Sequence, residues 1–189
     1  IEDPYRWLEI DTASSVEEWV DKQNEVTFGY LEQIPFRQKI KDRYSEIFNY
    51  TKQSAPIRAG DFYFFYKNDG LQNQAVIYRK KGLDGEEEVF IDPNEASEDG
   101  TVDINIASIS PNDKFMVISR QESGSDWTNL YIKEVETGKD LMDELKWTKF
   151  SAIAWKEDGF FYSRYPEPQE GTEYSKANEY HSIYYHKIG

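Results

Sequence analysis

Two hydrophobic periods divide the chain near residue 50. Before it, Val16, Trp19, Val20, Gln23, Val26, Thr27, Tyr30, Leu31 and Ile34 recur at three- and four-residue steps, the spacing of one mostly apolar helical face. Ser14 with Glu17 three residues on predicts a capping box at the start of that helix. Pro35 punctuates, and FRQKIKDRYSEIF places Phe36, Ile40, Tyr44 and Ile47 on one face of a second helix. Two helices cannot bury both stripes together with the aromatics of DPYRWLE. The helical segment, residues 1–53, is therefore expected to pack on something outside itself.

After NYTKQSAP the period becomes two and stays there. DFYFFYKN, QAVIYRK, EEVFID, IASIS, FMVISR, NLYIKEVE, FSAIAW, FFYSRY and SIYYHKI read as short strands. Turn chemistry separates them, in NDGLQN, GLDGEE, SEDG, SPND, ESGSD, ETGKD and KEDG. No helical stretch interrupts the series, so the region is predicted to be all-β with antiparallel neighbours.

SISPNDKFMVISR and AIAWKEDGFFYSR are one unit in different letters: strand end, polar turn, apolar strand. Asp61, Asp113 and Asp158 mark the same point in successive units at a spacing of roughly 40–50 residues, the period of four-stranded propeller blades. Blades are expected at about 54–92, 103–145 and 150–189, the third stopping after its third strand. A two-sheet sandwich is the competing arrangement. Propellers close with about four to eight blades, so the chain reads as a fragment with open edges at both ends.

Composition narrows the function classes. The 14 Tyr, 11 Phe and 5 Trp suit pleated surfaces. A net charge of -14 with no basic cluster repels phosphate backbones, which argues against nucleic acid as a partner. The absence of Cys excludes disulfides, thiolate metal sites and cysteine nucleophiles. No apolar run approaches the roughly 18 residues of a membrane span. The expectation is a soluble chain with no membrane partner, its compartment left open between cytoplasm and periplasm. It opens IEDPYRWLE without Met or a signal-peptide pattern, so the natural N-terminus is expected upstream.

Candidate chemistry is sparse. G-x-S-x-G, Walker, H-E-x-x-H and G-x-G-x-x-G motifs are absent. The two histidines, His181 and His186, fall on opposite faces of a strand and read as structural or surface residues. Glu86, Glu87 and Glu88 read as a solvated strand start, and the carboxylates of NEASEDGTVD miss the EF-hand spacing. No metal site and no cofactor are expected.

DPYRWLE, the helical segment through IFNY, then GLQNQAVIYRK, FIDPNEASEDGTV, SGSDW, KFSAIAW and YYHKIG occur in one order across the chain. Together they resemble the N-terminal part of the prolyl oligopeptidase family. The resemblance implies a mainly-β fold, the first two to three blades of a seven-bladed propeller preceded by an N-terminal helical segment. It implies a serine endopeptidase that cleaves short peptides after proline. An α/β-hydrolase domain of the same protein would carry the Ser–Asp–His triad and receive the helical stripes, and the propeller would gate substrate entry. The triad would lie beyond residue 189, leaving no catalytic residue here and an isolated fragment that is inactive. Phe150 of KFSAIAW matches an aromatic of an outer substrate pocket. Asp126 of SGSDW matches an acidic residue facing the catalytic domain near its substrate-binding arginine, with Trp127 beside it at the domain interface. Each has a plainer reading: blade core for Phe150, an Asx turn for Asp126, packing for Trp127. The bare repeat equally permits a non-catalytic propeller that serves as a protein-binding scaffold.

Overall fold

The computed structural model describes residues 3–10 and 12–189; residues 1, 2 and 11, within the predicted helical segment, lie outside the described residues. The chain divides into two compact units. One comprises the described residues up to Phe48 together with Glu167–Ala177, the other Asn49–Pro166 with Asn178–Gly189.

The helical unit opens with a 3-10 turn, Arg6–Glu9, followed by α1 (Ser14–Glu32) and α2 (Arg37–Phe48). The predicted capping box does not form. Ala13, in extended conformation, is the N-cap, and its carbonyl accepts the amides of Val16 at 2.9 Å and Glu17 at 3.2 Å. Ser14 is already the first helical residue, one position too far along to cap. Trp7 meets Trp19 edge-on at 6.2 Å, and Tyr44 stacks on Phe48 at 4.2 Å. Of the long stripe only Val16 is buried, whereas Val26 is 72% exposed and Tyr30 69%, and on α2 Ile40 is 60% exposed.

The second unit consists of three antiparallel sheets, each a meander in chain order. The first blade holds β1 (Lys52–Gln53), β2 (Ile57–Ala59), β3 (Phe62–Asn68), β4 (Val76–Lys81) and β5 (Glu88–Ile91). β1 and β2 both pair with the edge of β3 away from β4, so they form one inner strand interrupted at Pro56, which has no amide to donate. Ser54 spans the gap, its amide on the Tyr66 carbonyl at 2.9 Å and its hydroxyl accepting the Tyr66 amide at 3.0 Å. The second blade is β6 (Asp103–Ile109), β7 (Phe115–Gln121), β8 (Thr128–Glu134) and β9 (Asp140–Thr148). The third is β10 (Ala154–Lys156), β11 (Gly159–Arg164) and β12 (Ser182–Lys187).

The repeat is real at the level of the backbone. The turn between the first two strands of each blade holds a left-handed residue, Gly60 (φ 58), Asp113 (φ 57) and Glu157 (φ 52). Glycine and aspartate adopt that conformation readily; Glu157 does so at some cost.

Two strand assignments are corrected. β9, absent from the period-two reading, carries the second blade to Thr148 rather than 145. Its inward positions are Leu141, Asp143 and Leu145, so a carboxylate stands where alternation calls for an apolar residue. FSAIAW forms a strand only from Ala154: Phe150 has φ 50, and the Ser151 side chain takes the Ser163 amide in place of a backbone carbonyl.

Alternation along β7 stacks the blades. Met116 and Ile118 pack with Phe62 and Phe64 of the first blade, and Val117 on the opposite face packs with Phe160 and Tyr162 of the third. Among the described residues, no helix is long and apolar enough to cross a membrane.

Candidate functional site

The seam between the second and third blades is apolar along only part of its length. Val117, Leu130, Ile132 and Leu145 meet Phe160 and Tyr162 there. Further along the same faces, alternation brings up Ser119 and Gln121 from β7 and Thr128 from β8. The short β10 supplies no matching apolar surface, and the seam opens into a cavity of about 310 Å³. Thr148, Phe150 and Ser151 line it from the β9–β10 connection, and Asp126 from the β7–β8 loop. Asp126 and Phe150, far apart in the chain, thus share one cavity.

The connection that presents Phe150 is held from several sides. Trp147 and Phe150 both have left-handed backbones, φ 63 and φ 50. Such bulky residues at positive φ cost on the order of 1–3 kcal/mol each and persist only where the surroundings fix them. Here the Thr148 hydroxyl, itself buried, donates to the Thr128 carbonyl at 2.5 Å. The Tyr165 amide donates to the Trp147 carbonyl at 2.9 Å, and Ser151 Oγ accepts the Ser163 amide at 2.8 Å. The Phe150 ring itself is 86% exposed. A rigid turn therefore carries an unpacked aromatic.

Trp127 leaves the cavity to its neighbours. Its ring meets Trp147 edge-on at 5.4 Å and Tyr165 at 6.0 Å, and the Lys149 ammonium lies 4.0 Å from its ring centroid. Tyr165 in turn stacks on His181 at 4.3 Å. Asp126 is exposed, and the turn's side-chain bond comes from Ser125, whose hydroxyl accepts the Trp127 amide at 3.0 Å. Trp147, Thr148 and Tyr165 were not legible as site residues. Trp147 and Thr148 close β9, which period two alone does not predict, and Tyr165 lies just past the end of β11.

A β-bulge in β6 between Ile106 and Ser108 completes the wall by turning Ala107 into the cavity. Neighbouring blades grip that bulge from both sides. The Tyr66 hydroxyl accepts the Ile106 amide at 2.8 Å, and Trp155 Nε1 donates to Ser108 Oγ at 2.8 Å. Burial pushes the Tyr66 phenol above its ordinary value; the Ile106 bond opposes this and the charge of Asp103 adds to it.

The family described as prolyl oligopeptidase, N-terminal beta-propeller domain, matches residues 1–189. The chain belongs to the prolyl oligopeptidase family. It is 45% identical over 190 residues to a prolyl endopeptidase of Elizabethkingia meningoseptica, covering 100% of this chain and 27% of that protein. The dual function macrocyclase-peptidase POPB of Galerina marginata (strain CBS 339.88) is 36% identical over 215 residues, covering 100% of this chain and 29% of that protein. A solved prolyl endopeptidase superimposes with a TM-score of 0.85 at 28% identity, over 100% of this chain and 28% of its own. Prolyl oligopeptidase B from Galerina marginata, bound to a 25mer macrocyclization substrate, gives 0.81 at 31% identity, over 100% of this chain and 29% of its own. The chain thus spans little more than a quarter of the length of these relatives, and its sheets are blades of the family's N-terminal propeller.

Proposed function

We propose that this chain is the substrate-gating N-terminal part of a proline-specific serine endopeptidase that cleaves short proline-containing peptides on the carboxyl side of proline. The carrying observation is identity of 45% to a prolyl endopeptidase across the whole chain. The catalytic triad belongs to an α/β-hydrolase domain of the same protein. That domain receives the exposed apolar stripes of α1 and α2. Phe150 forms part of an outer substrate pocket. Asp126, with Trp127 supporting its loop, faces the catalytic domain beside the substrate path. Two features support these roles: Asp126 and Phe150 line one cavity, and the connection behind Phe150 is strained and cross-braced.

The test is product mapping with the full protein. Incubation with short peptides containing one internal proline should give cleavage on its carboxyl side, and an active-site serine reagent should abolish it. The separate chain of residues 1–189 should cleave none of them. A full protein that leaves all such peptides intact would instead favour a propeller used only for binding.

A further inference from the structure

The seam between the second and third blades opens a second time, at its other end. In antiparallel meanders the β6–β7 and β10–β11 turns lie opposite the β7–β8 and β9–β10 connections, so this cleft is separate from the cavity of Asp126 and Phe150. It encloses about 540 Å³ and is mostly apolar, with Phe115, Trp155 and Ile188 in its wall. Both turns are braced by side chains. Ser110 Oγ donates to Asn112 Oδ1 at 2.8 Å and accepts the Phe115 amide at 2.9 Å, and Asn112 Oδ1 also accepts the Lys114 amide at 3.1 Å. Across the cleft, Trp155 meets Phe160 edge-on at 5.0 Å and its indole N–H is held by Ser108 Oγ. A wall fixed in advance costs little ordering when a ligand enters.

Lys114 stands on one turn and Lys156 on the other, and among the described residues neither ammonium has an ion pair or hydrogen bond. The carboxylates nearby do not answer them. Asp158 is held by Lys187 at 2.9 Å and by the Tyr185 hydroxyl at 3.0 Å. Asp113, beside Lys114, lies against Gly60 of the first blade and is not in the wall. Glu157 alone remains to offset the two free lysines. Lys114, Lys156 and Lys187 against Glu157 and Asp158 thus leave one positive charge in excess, in a chain of net charge -14.

We propose that this cleft is a ligand site, independent of the peptidase reading, for a small molecule that joins a ring-sized apolar group to one carboxylate. The apolar group covers Trp155 and Phe115, and the carboxylate takes charge-assisted bonds from Lys114 and Lys156. A mostly apolar wall with a few polar groups, at this volume, is the kind of surface small ligands occupy. An uncharged analogue keeps the apolar contact and loses the stronger bonds. An amine brings a third positive charge to the two free lysines and finds only Glu157 uncommitted.

The experiment titrates the full protein, its tryptophans labelled with an NMR-active nitrogen, with phenylpropionate, phenylpropionamide and phenylpropylamine. The Trp155 indole signal, identified by its loss in Trp155→Phe, reports occupancy of the cleft. Phenylpropionate should move that signal and bind about 3- to 10-fold more tightly than the amide, with the amine weakest. Lys114→Gln with Lys156→Gln should bring the acid and the amide to equal affinity while the Trp155 signal still moves. Phe150→Ala should leave all of this unchanged, because Phe150 lines the opposite end of the seam. The proposal is overturned if no probe moves the Trp155 signal, or if the amine binds as well as the acid. It is equally overturned if the preference for the acid survives the double lysine variant, or if Phe150→Ala abolishes the response.

Discussion

The Tyr66 hydroxyl of the first blade accepts the Ile106 amide of the second at 2.8 Å, at the bulge that turns Ala107 into the candidate cavity. At the bulge Ala107 is the residue without a cross-strand partner. The amide just before it is held by a side chain of the neighbouring blade, which ties blade packing to the shape of the cavity.

Tyr66→Phe keeps the ring and removes that acceptor. Leaving a partly buried amide unpaired costs about 1–3 kcal/mol, and denaturant unfolding should show a loss in that range. The native phenol adds an alkaline limb. Its proton is held more tightly in the folded state than at the ordinary value of 10.0. The contribution is therefore complete below that value and is lost as pH rises through the higher folded value. The substitution should flatten this limb; an unchanged alkaline profile would remove Tyr66 from the account.

A second bond between blades explains the odd composition of β9. Asp143 Oδ1 accepts from His186 Nε2 at 2.7 Å and from the Gly189 amide at 3.1 Å. The Asp143 side chain is 6% exposed and that of His186 21%, and Asp143 Oδ2 is buried with no hydrogen-bond partner among the described residues. His186→Phe should cost about 2–3 kcal/mol, below the full range for a buried pair because the imidazole is partly solvated. Adding Asp143→Leu should recover most of the loss, since the stranded carboxylate is then gone. A double variant no more stable than the single one contradicts this assignment.

At the β10–β11 turn, Asp158 meets the Lys187 ammonium at 2.9 Å and the Tyr185 hydroxyl at 3.0 Å. The bond to Lys187, then that to Tyr185, holds the Asp158 carboxyl below its ordinary 3.8, and Asp158 holds the Lys187 ammonium above its ordinary 10.5. Stabilisation from Asp158 is present above 3.8 and fades as pH falls through its lower folded value. That from Lys187 is present below 10.5 and fades as pH rises through its higher folded value. The pair contributes evenly across neutral pH. An NMR titration of Asp158→Asn should show the Lys187 value moving down; no movement refutes the pairing in solution.

The exposed helical stripes carry their own test. The separate chain should bind a hydrophobic dye strongly or self-associate. Val26→Glu with Ile40→Glu should reduce both effects and weaken association with the proposed α/β-hydrolase domain. A monodisperse monomer that binds little dye would mean that these faces need no partner.

Both helices and most strands could be read from period alone, because their apolar positions keep one spacing from end to end. β9 could not, since Asp143 occupies an inward position and is tolerated through His186 and the Gly189 amide, both more than 40 residues away. The capping box fails by one residue: Ser14 is the better local cap, yet Ala13 takes that position without a side-chain bond. The strand start at Phe150 was misplaced because a left-handed backbone at a phenylalanine leaves no mark in composition. The cavity was illegible for a different reason. Its wall is assembled from β6, β7, β8 and two connections, whose side chains only the fold brings together.

The most direct test of the account is the specificity of Phe150→Ala in the full protein. Full burial of a phenylalanine ring stabilises by roughly 1.5–3 kcal/mol, and a shared pocket wall delivers about half of that. With long peptides that reach past the residue preceding proline, kcat/KM should fall about 3- to 10-fold. With reporters too short to reach the cavity it should stay unchanged. The melting temperature should hold, because the ring is 86% exposed in this chain. Equal losses on long and short substrates, or a collapse in stability, would contradict the placement of Phe150 in the substrate wall.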